Sequence, residues 1–96
     1  VGAVGGVMAL AAVAPYDLQQ IVDCFSNGEM EKARKIQLRL IAPNAAVTTG
    51  FGIAGLKEAL DLMRMYGGPV RSPLRSLNKG QREELKKILK KSGILG

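Results

Sequence analysis

Gly5-Gly6-Val7-Met8-Ala9-Leu10 (GGVMAL, residues 5–10) decides how the rest of the chain is read. The run is continuously apolar and lacks period-2 alternation, which is the pattern of a strand covered on both faces, as in a parallel sheet. Parallel partners arrive through βα units, yet the remaining residues offer no second convincing strand. A lone parallel strand leaves its backbone donors and acceptors without ladder partners, at about 1–3 kcal/mol for each one buried unpaired. Two outcomes follow: residues 1–14 are disordered in isolation, or the strand completes a sheet whose other strands lie outside these 96 residues.

The apolar opening stretch, residues 1–14, is too short for a membrane span, which needs about 20 residues. Ala12-Val13-Ala14 mimics a signal-peptidase site, but no positively charged segment precedes it. The expectation is therefore no membrane partner.

Downstream, the pattern turns helical. Leu18, Ile21, Val22 and Phe25 recur at three- and four-residue steps between Pro15, which suits a first turn, and Asn27-Gly28, which suits a C-terminal cap. A second helix begins near Glu29, with Met30, Ala33, Ile36 or Gln37, Leu40, Asn44 and Val47 on one stripe. Pro43 lies within it and predicts a kink or break, at about 3 kcal/mol unless the surroundings compensate. Thr48 to Gly52 reads as a connection, and Ile53, Leu56, Ala59, Leu60 and Met63 mark a third helix that ends at Tyr66-Gly67-Gly68. Pro69 and Pro73 keep the next segment extended. Asn78 is a candidate N-cap for a fourth helix with Leu85, Ile88 and Leu89 inward, ending at Ser92-Gly93.

Composition narrows the chemistry. Apolar residues make up 47 % of the chain, which argues for a packed globular unit, and with two Phe, two Tyr and no Trp the core must be aliphatic. Cys24 is the single cysteine, so no internal disulfide forms, and a small buried hydrophobe is its expected role. There is no histidine, which removes the usual general base, the Ser-His and Cys-His pairings and every His-containing zinc signature. No metal site and no cofactor are expected.

The stretches GGVMALAAVAP, RLIAPNAAVTTGFGIAGLKEALDL and YGGPVRSPL resemble the C-terminal end of the dihydrodipicolinate synthase and N-acetylneuraminate lyase superfamily. Within it they look most like 4-hydroxy-2-oxoglutarate aldolase. The likeness runs from Gly2 to Leu95 and covers about the last third of a family member. It implies an α/β protein, a (β/α)8 barrel with a C-terminal helical domain, of which this mostly α segment holds the end. Residues 4–11 would be the eighth strand, residues 16–27 the eighth helix, residues 1–28 the last βα unit and residues 29–96 the helical domain.

The resemblance further implies carbon–carbon bond cleavage or formation through a Schiff base between pyruvate and a lysine. That chemistry requires a lysine of lowered pKa in an apolar pocket. The family's nucleophile belongs to the sixth strand and its proton-relay tyrosine to the fifth. Lys32, Lys35, Lys57 and the C-terminal lysines are expected on outward helix faces, and Tyr16 and Tyr66 are expected to be packing residues. No catalytic residue is therefore assigned, and the isolated chain is expected to be inactive. One substrate contact carries over: the main chain of Met8, after Gly-Val in the strand, would line the pyruvate pocket. Ala12 stands where family members commonly carry Asn, so the amide that ties down the rim loop is missing. An oxo-acid substrate, a tetrameric assembly and a cytoplasmic or mitochondrial setting complete what the likeness implies.

A different class of reading treats residues 29–96 as a stand-alone helical interaction module. The formal charge is +6, and Lys79, Arg82, Lys86, Lys87, Lys90 and Lys91 cluster on the last helix. Without an aromatic stacking platform or a reading motif, nucleic acid is not the expected partner; a solvated helix face explains the cluster.

Overall fold

The computed structural model describes residues 2–96; the first residue of the apolar opening stretch lies outside them. Four α-helices follow one another: α1 (Pro15–Ser26), α2 (Met30–Ala45), α3 (Gly52–Leu62) and α4 (Lys79–Lys91). A 3₁₀ turn at Ala9–Ala12 precedes them, and a π-turn at Ala46–Gly50 joins α2 to α3.

The expected strand over residues 4–11 does not form. Residues 2–8 carry no regular hydrogen-bonded structure, residues 9–12 close into the 3₁₀ turn, and no strand occurs among the described residues. The physical reason is the missing ladder: a strand is defined by partners, and none stands beside this segment. Its local conformation is nonetheless strand-like at Met8, where φ is −130° and ψ is 132°. Val4 and Val7 are fully exposed.

Chain entry into the core comes immediately afterwards. Leu10, Val13 and Ala14 are buried and join Leu40, Ala46, Val47, Ala59, Leu85 and Leu89 in a single aliphatic cluster. The cluster draws on every helix except α1, which has no buried residue. Leu18 and Ile21 of α1 reach the cluster's edge, while Val22 and Phe25, expected inward, are exposed by more than half. Half of the apolar stripe on α1 is thus uncovered. Met30 and Ile53, also expected inward, are similarly exposed.

Helix ends follow the residues that stop them. α1 closes on Asn27, whose N–H donates to the Asp23 carbonyl at 3.0 Å. Gly28 then takes φ +76°, a left-handed turn that glycine enters without steric cost. α4 opens on a reciprocal capping box: Asn78 Oδ1 accepts from the Gln81 N–H at 2.9 Å, and Gln81 Oε1 accepts from the Asn78 N–H at 3.0 Å.

Pro43 does not break α2. The helix continues to Ala45, and the irregularity falls one turn later, where the Phe51 N–H donates to the Ala46 carbonyl five residues back at 2.9 Å. Pro43 is fully buried, so burial of its ring helps offset the hydrogen bond that its nitrogen cannot make. The connection expected over residues 48–52 is therefore this π-turn, closed by its own hydrogen bond.

After α3 the chain is lashed back onto the helix it has just left. Asp61 Oδ1 accepts from the Gly67 N–H at 2.8 Å, and Lys57 Nζ donates to the Gly67 carbonyl at 3.0 Å. The Pro-flanked segment beyond is not uniformly extended, since the Leu74 N–H donates to the Arg71 carbonyl at 3.0 Å and closes a turn at Ser72-Pro73.

Candidate functional site

Met8 sits at the point where the unpaired segment meets the helical layer. Its carbonyl accepts from the Ala11 N–H at 3.1 Å, which fixes the main chain at the start of the 3₁₀ turn. Two residues later, buried Leu10 anchors that turn in the core. Position 8 is therefore held by packing against the helices.

The Met8 side chain, about half exposed, lies at the edge of an open cleft of about 340 Å³. Leu10, Leu18, Leu40 and Ile41 form its apolar walls, and Gln37, Asn44, Thr48 and Thr49 bring the polar groups. Gln37, Ile41, Asn44 and Thr48 are spaced by four, three and four residues, so they share one face of α2 as it runs into the π-turn. Widening of the last turn adds Thr49. Thr48 Oγ1 donates to the Asn44 carbonyl at 2.6 Å, a back-bond that leaves the hydroxyl oxygen free to accept.

No ionisable side chain lines this cleft. It can orient a ligand by neutral hydrogen bonds and apolar contact. Of the polar residues, the sequence pattern marks Asn44, and Gln37 as an alternative to Ile36, only as members of an apolar stripe, and Thr48 and Thr49 only as part of a connection. The signal available was the recurrence of uncharged hydrogen-bonding residues at positions 37, 44 and 48.

The lysines stand elsewhere. Lys32 and Lys35 are exposed on α2. The hydrogen bond from Lys32 to the Glu29 carboxylate, together with that carboxylate's charge, raises the Lys32 pKa, the direction opposite to what imine formation at neutral pH requires. Lys57 is half-buried, a departure from the expected outward position, and its ammonium is committed to the Gly67 carbonyl. In α4, Lys79, Lys87, Lys90 and Lys91 are exposed and Lys86 is half-buried. Arg82 Nε stands 2.6 Å from Glu58 Oε1, an ion pair whose alignment falls short of a hydrogen bond.

Other expectations shift as well. Tyr16 and Tyr66 are not packing residues: they are 82 % and 85 % exposed, because one begins a helix and the other follows one at the surface. Cys24 is free and only half-buried. Ala12 ends the 3₁₀ turn, exposed and without a group that could tie the loop down. No cluster of His, Cys, Asp and Glu able to hold a metal ion occurs among the described residues, and no helix is long and apolar enough to cross a membrane.

Comparison with known proteins supplies the context. Residues 1–92 match the dihydrodipicolinate synthetase family. A 4-hydroxy-tetrahydrodipicolinate synthase of Caldicellulosiruptor bescii is 38 % identical over 94 residues, covering 98 % of this chain and 32 % of that protein. An uncharacterised DapA-like lyase of Halobacterium salinarum is 38 % identical over 95 residues, covering 99 % of the chain and 31 % of the relative. The 4-hydroxy-tetrahydrodipicolinate synthase of Methanopyrus kandleri is 32 % identical over 95 residues, covering 99 % and 32 %. The chain spans about a third of the length of these relatives. An apolar strand-like segment that finds no partner, a helical layer holding it, and a family match across nearly every residue lead to one statement of identity: the chain belongs to the dihydrodipicolinate synthetase family.

Proposed function

We propose that these residues form the C-terminal part of a Schiff-base lyase acting on pyruvate and an aldehyde. Residues 1–28 provide the last βα unit of a (β/α)8 barrel and residues 29–96 the helical domain that braces it. The observation that carries this reading is the segment Gly2–Met8: strand-like at Met8, fully exposed at Val4 and Val7, and fixed at its C-terminal end by Leu10. In a barrel this segment would gain two ladder neighbours, and the exposed side chains of α1 would gain a sheet to cover them.

The substrate-facing element of this chain is the Met8 main chain, since barrel active sites lie at the C-terminal ends of the strands. The catalytic lysine belongs to the part of the protein that precedes these residues. Its imine with pyruvate serves as electron sink for the carbanion, and this chain contributes position and exclusion of water. The residue pattern favours 4-hydroxy-2-oxoglutarate as substrate, cleaved to pyruvate and glyoxylate. The printed names of the relatives support 4-hydroxy-tetrahydrodipicolinate synthesis as the second reading. A homo-oligomer, tetrameric as the family resemblance implies, completes the proposal.

The test is trapping with pyruvate and borohydride in a protein extended by its upstream coding sequence. An adduct on a lysine preceding residue 1 supports the reading. Absence of an adduct in the extended protein overturns it.

A further inference from the structure

Two irregular turns meet where the main chain of Met8 is fixed. The 3₁₀ turn Ala9–Ala12 packs against the π-turn Ala46–Gly50, and also against α1, α2 and α3. Each turn sends one branched side chain into the core: Leu10 is 3 % exposed and Val47 2 %. Hydrogen bonds hold the first turn in shape. The Met8 carbonyl accepts from the Ala11 N–H at 3.1 Å, and the Leu10 carbonyl accepts from the N–H groups of Val13 at 3.1 Å and Ala14 at 2.9 Å. Behind the π-turn, Gly55 of α3 leaves no slack: a Cβ there would stand 3.0 Å from the Ala46 carbonyl oxygen and 2.5 Å from Phe51 Cβ. Groups packed this closely pass a displacement on instead of absorbing it. Residues 2–7 carry no regular hydrogen-bonded structure, so in this chain the Met8 main chain is positioned from its C-terminal side.

We propose that Leu10 and Val47 are positioning residues for pyruvate binding: by clasping the 3₁₀ turn to the π-turn they set the Met8 main chain, and neither touches the substrate itself. This rests on reading the Met8 main chain as the pyruvate wall. The helical layer then tunes substrate affinity as well as bracing the barrel. Its effect falls on binding and not on the bond-making steps, which the same reading assigns to residues preceding this chain.

The experiment has two arms. In the ¹⁵N-labelled 96-residue chain, hydrogen exchange at the Ala11 amide reports the bond that closes on Met8. Leu10→Val and Val47→Ala should speed it severalfold. Leu89→Val, a truncation of the same core on α4, which packs on α2 and α3, should leave it unchanged. In the protein extended by its upstream coding sequence, borohydride trapping is measured against pyruvate concentration. Leu10→Val and Val47→Ala should raise the half-saturating concentration about fivefold to tenfold, below the roughly hundredfold loss that a misplacement of about 1 Å can bring, with the limiting rate unchanged. Leu10→Met, which refills the same volume, should stay near the parent. Unchanged Ala11 exchange or unchanged half-saturation overturns the proposal, as does an equal rise in Leu89→Val, the mark of a general loss of stability. Absence of an adduct in the unsubstituted extended protein is a separate failure: it overturns the lyase reading, and this proposal with it.

Discussion

The guanidinium of Arg39 donates through Nη1 to the carbonyl oxygen of Ser92, 53 residues further along, at 2.6 Å. Its Nη2 pairs with the Asp17 carboxylate. One side chain on α2 thereby ties the start of α1 to the end of α4, where the last carbonyls of a helix have no intrahelical partner. Arg39→Met keeps much of the aliphatic stem and removes both bonds. The expected loss is about 1.5 kcal/mol, at the low end for hydrogen bonds to a charged group because the site is partly open to water. Urea denaturation of the two proteins measures it.

Gly67 is required by geometry. A Cβ at that position would overlap the carbonyl oxygen of Lys57, and backbone cannot give way as a flexible side chain can. Gly67→Ala is therefore expected to detach the segment after α3, breaking the bonds to Asp61 and Lys57, at a cost of about 3 kcal/mol or more. A control with Gly5→Ala, where nothing lies near the added methyl and the backbone is outside the left-handed region, should melt within a degree or two of the parent.

Much of the helical layer was legible beforehand because its signals are local. Asn78 announces the N-cap of α4, Pro15 and Gly28 bracket α1, and Leu85 and Leu89 repeat at helical spacing; the partner role of Gln81 emerges only in the structure. The N-terminal segment was legible only as conformational preference. GGVMAL favours a buried strand, but a strand exists through neighbours, and residues 2–8 have none here. Val22 and Phe25 share that dependence on neighbours: their spacing marks an inward face, and both are more than half exposed. Tyr16 and Tyr66 misled for another reason: apolar bulk predicts burial only on average, and helix termini lie at the surface. The cleft was the least legible feature, because its polar residues meet only once α2 continues past Pro43 into the π-turn.

Core and uncovered face should respond differently to the same kind of truncation. Leu85 is completely buried, and Leu85→Ala is expected to cost about 3 kcal/mol through lost burial and the cavity left behind. Phe25 is 59 % exposed, and Phe25→Ala should cost under about 1 kcal/mol in this chain, since most of the ring already faces water. In the extended protein the Phe25→Ala cost should rise toward that of a core residue. Chemical denaturation of both variants in both lengths gives the comparison.

Arg64 has φ +61°, the left-handed region, just past the C-cap Met63 of α3. Glycine is the residue that enters this region without strain. Arg64→Gly is therefore expected to stabilise the chain by about 0.5–1 kcal/mol, the relieved strain exceeding the added unfolded-state entropy. An increase in the urea midpoint with an unchanged slope is the expected result.

Amide hydrogen exchange over Val4 to Val7 tests most directly whether the opening segment is a strand that needs partners from outside these residues. In the monomeric 96-residue chain, Val4, Gly5, Gly6 and Val7 should exchange at the rate of an unstructured peptide, while Leu85 and Leu89 are protected by the core. Slow exchange at Val4 to Val7 in that monomer would contradict the account, because the segment would then have found its hydrogen-bond partners within the chain itself.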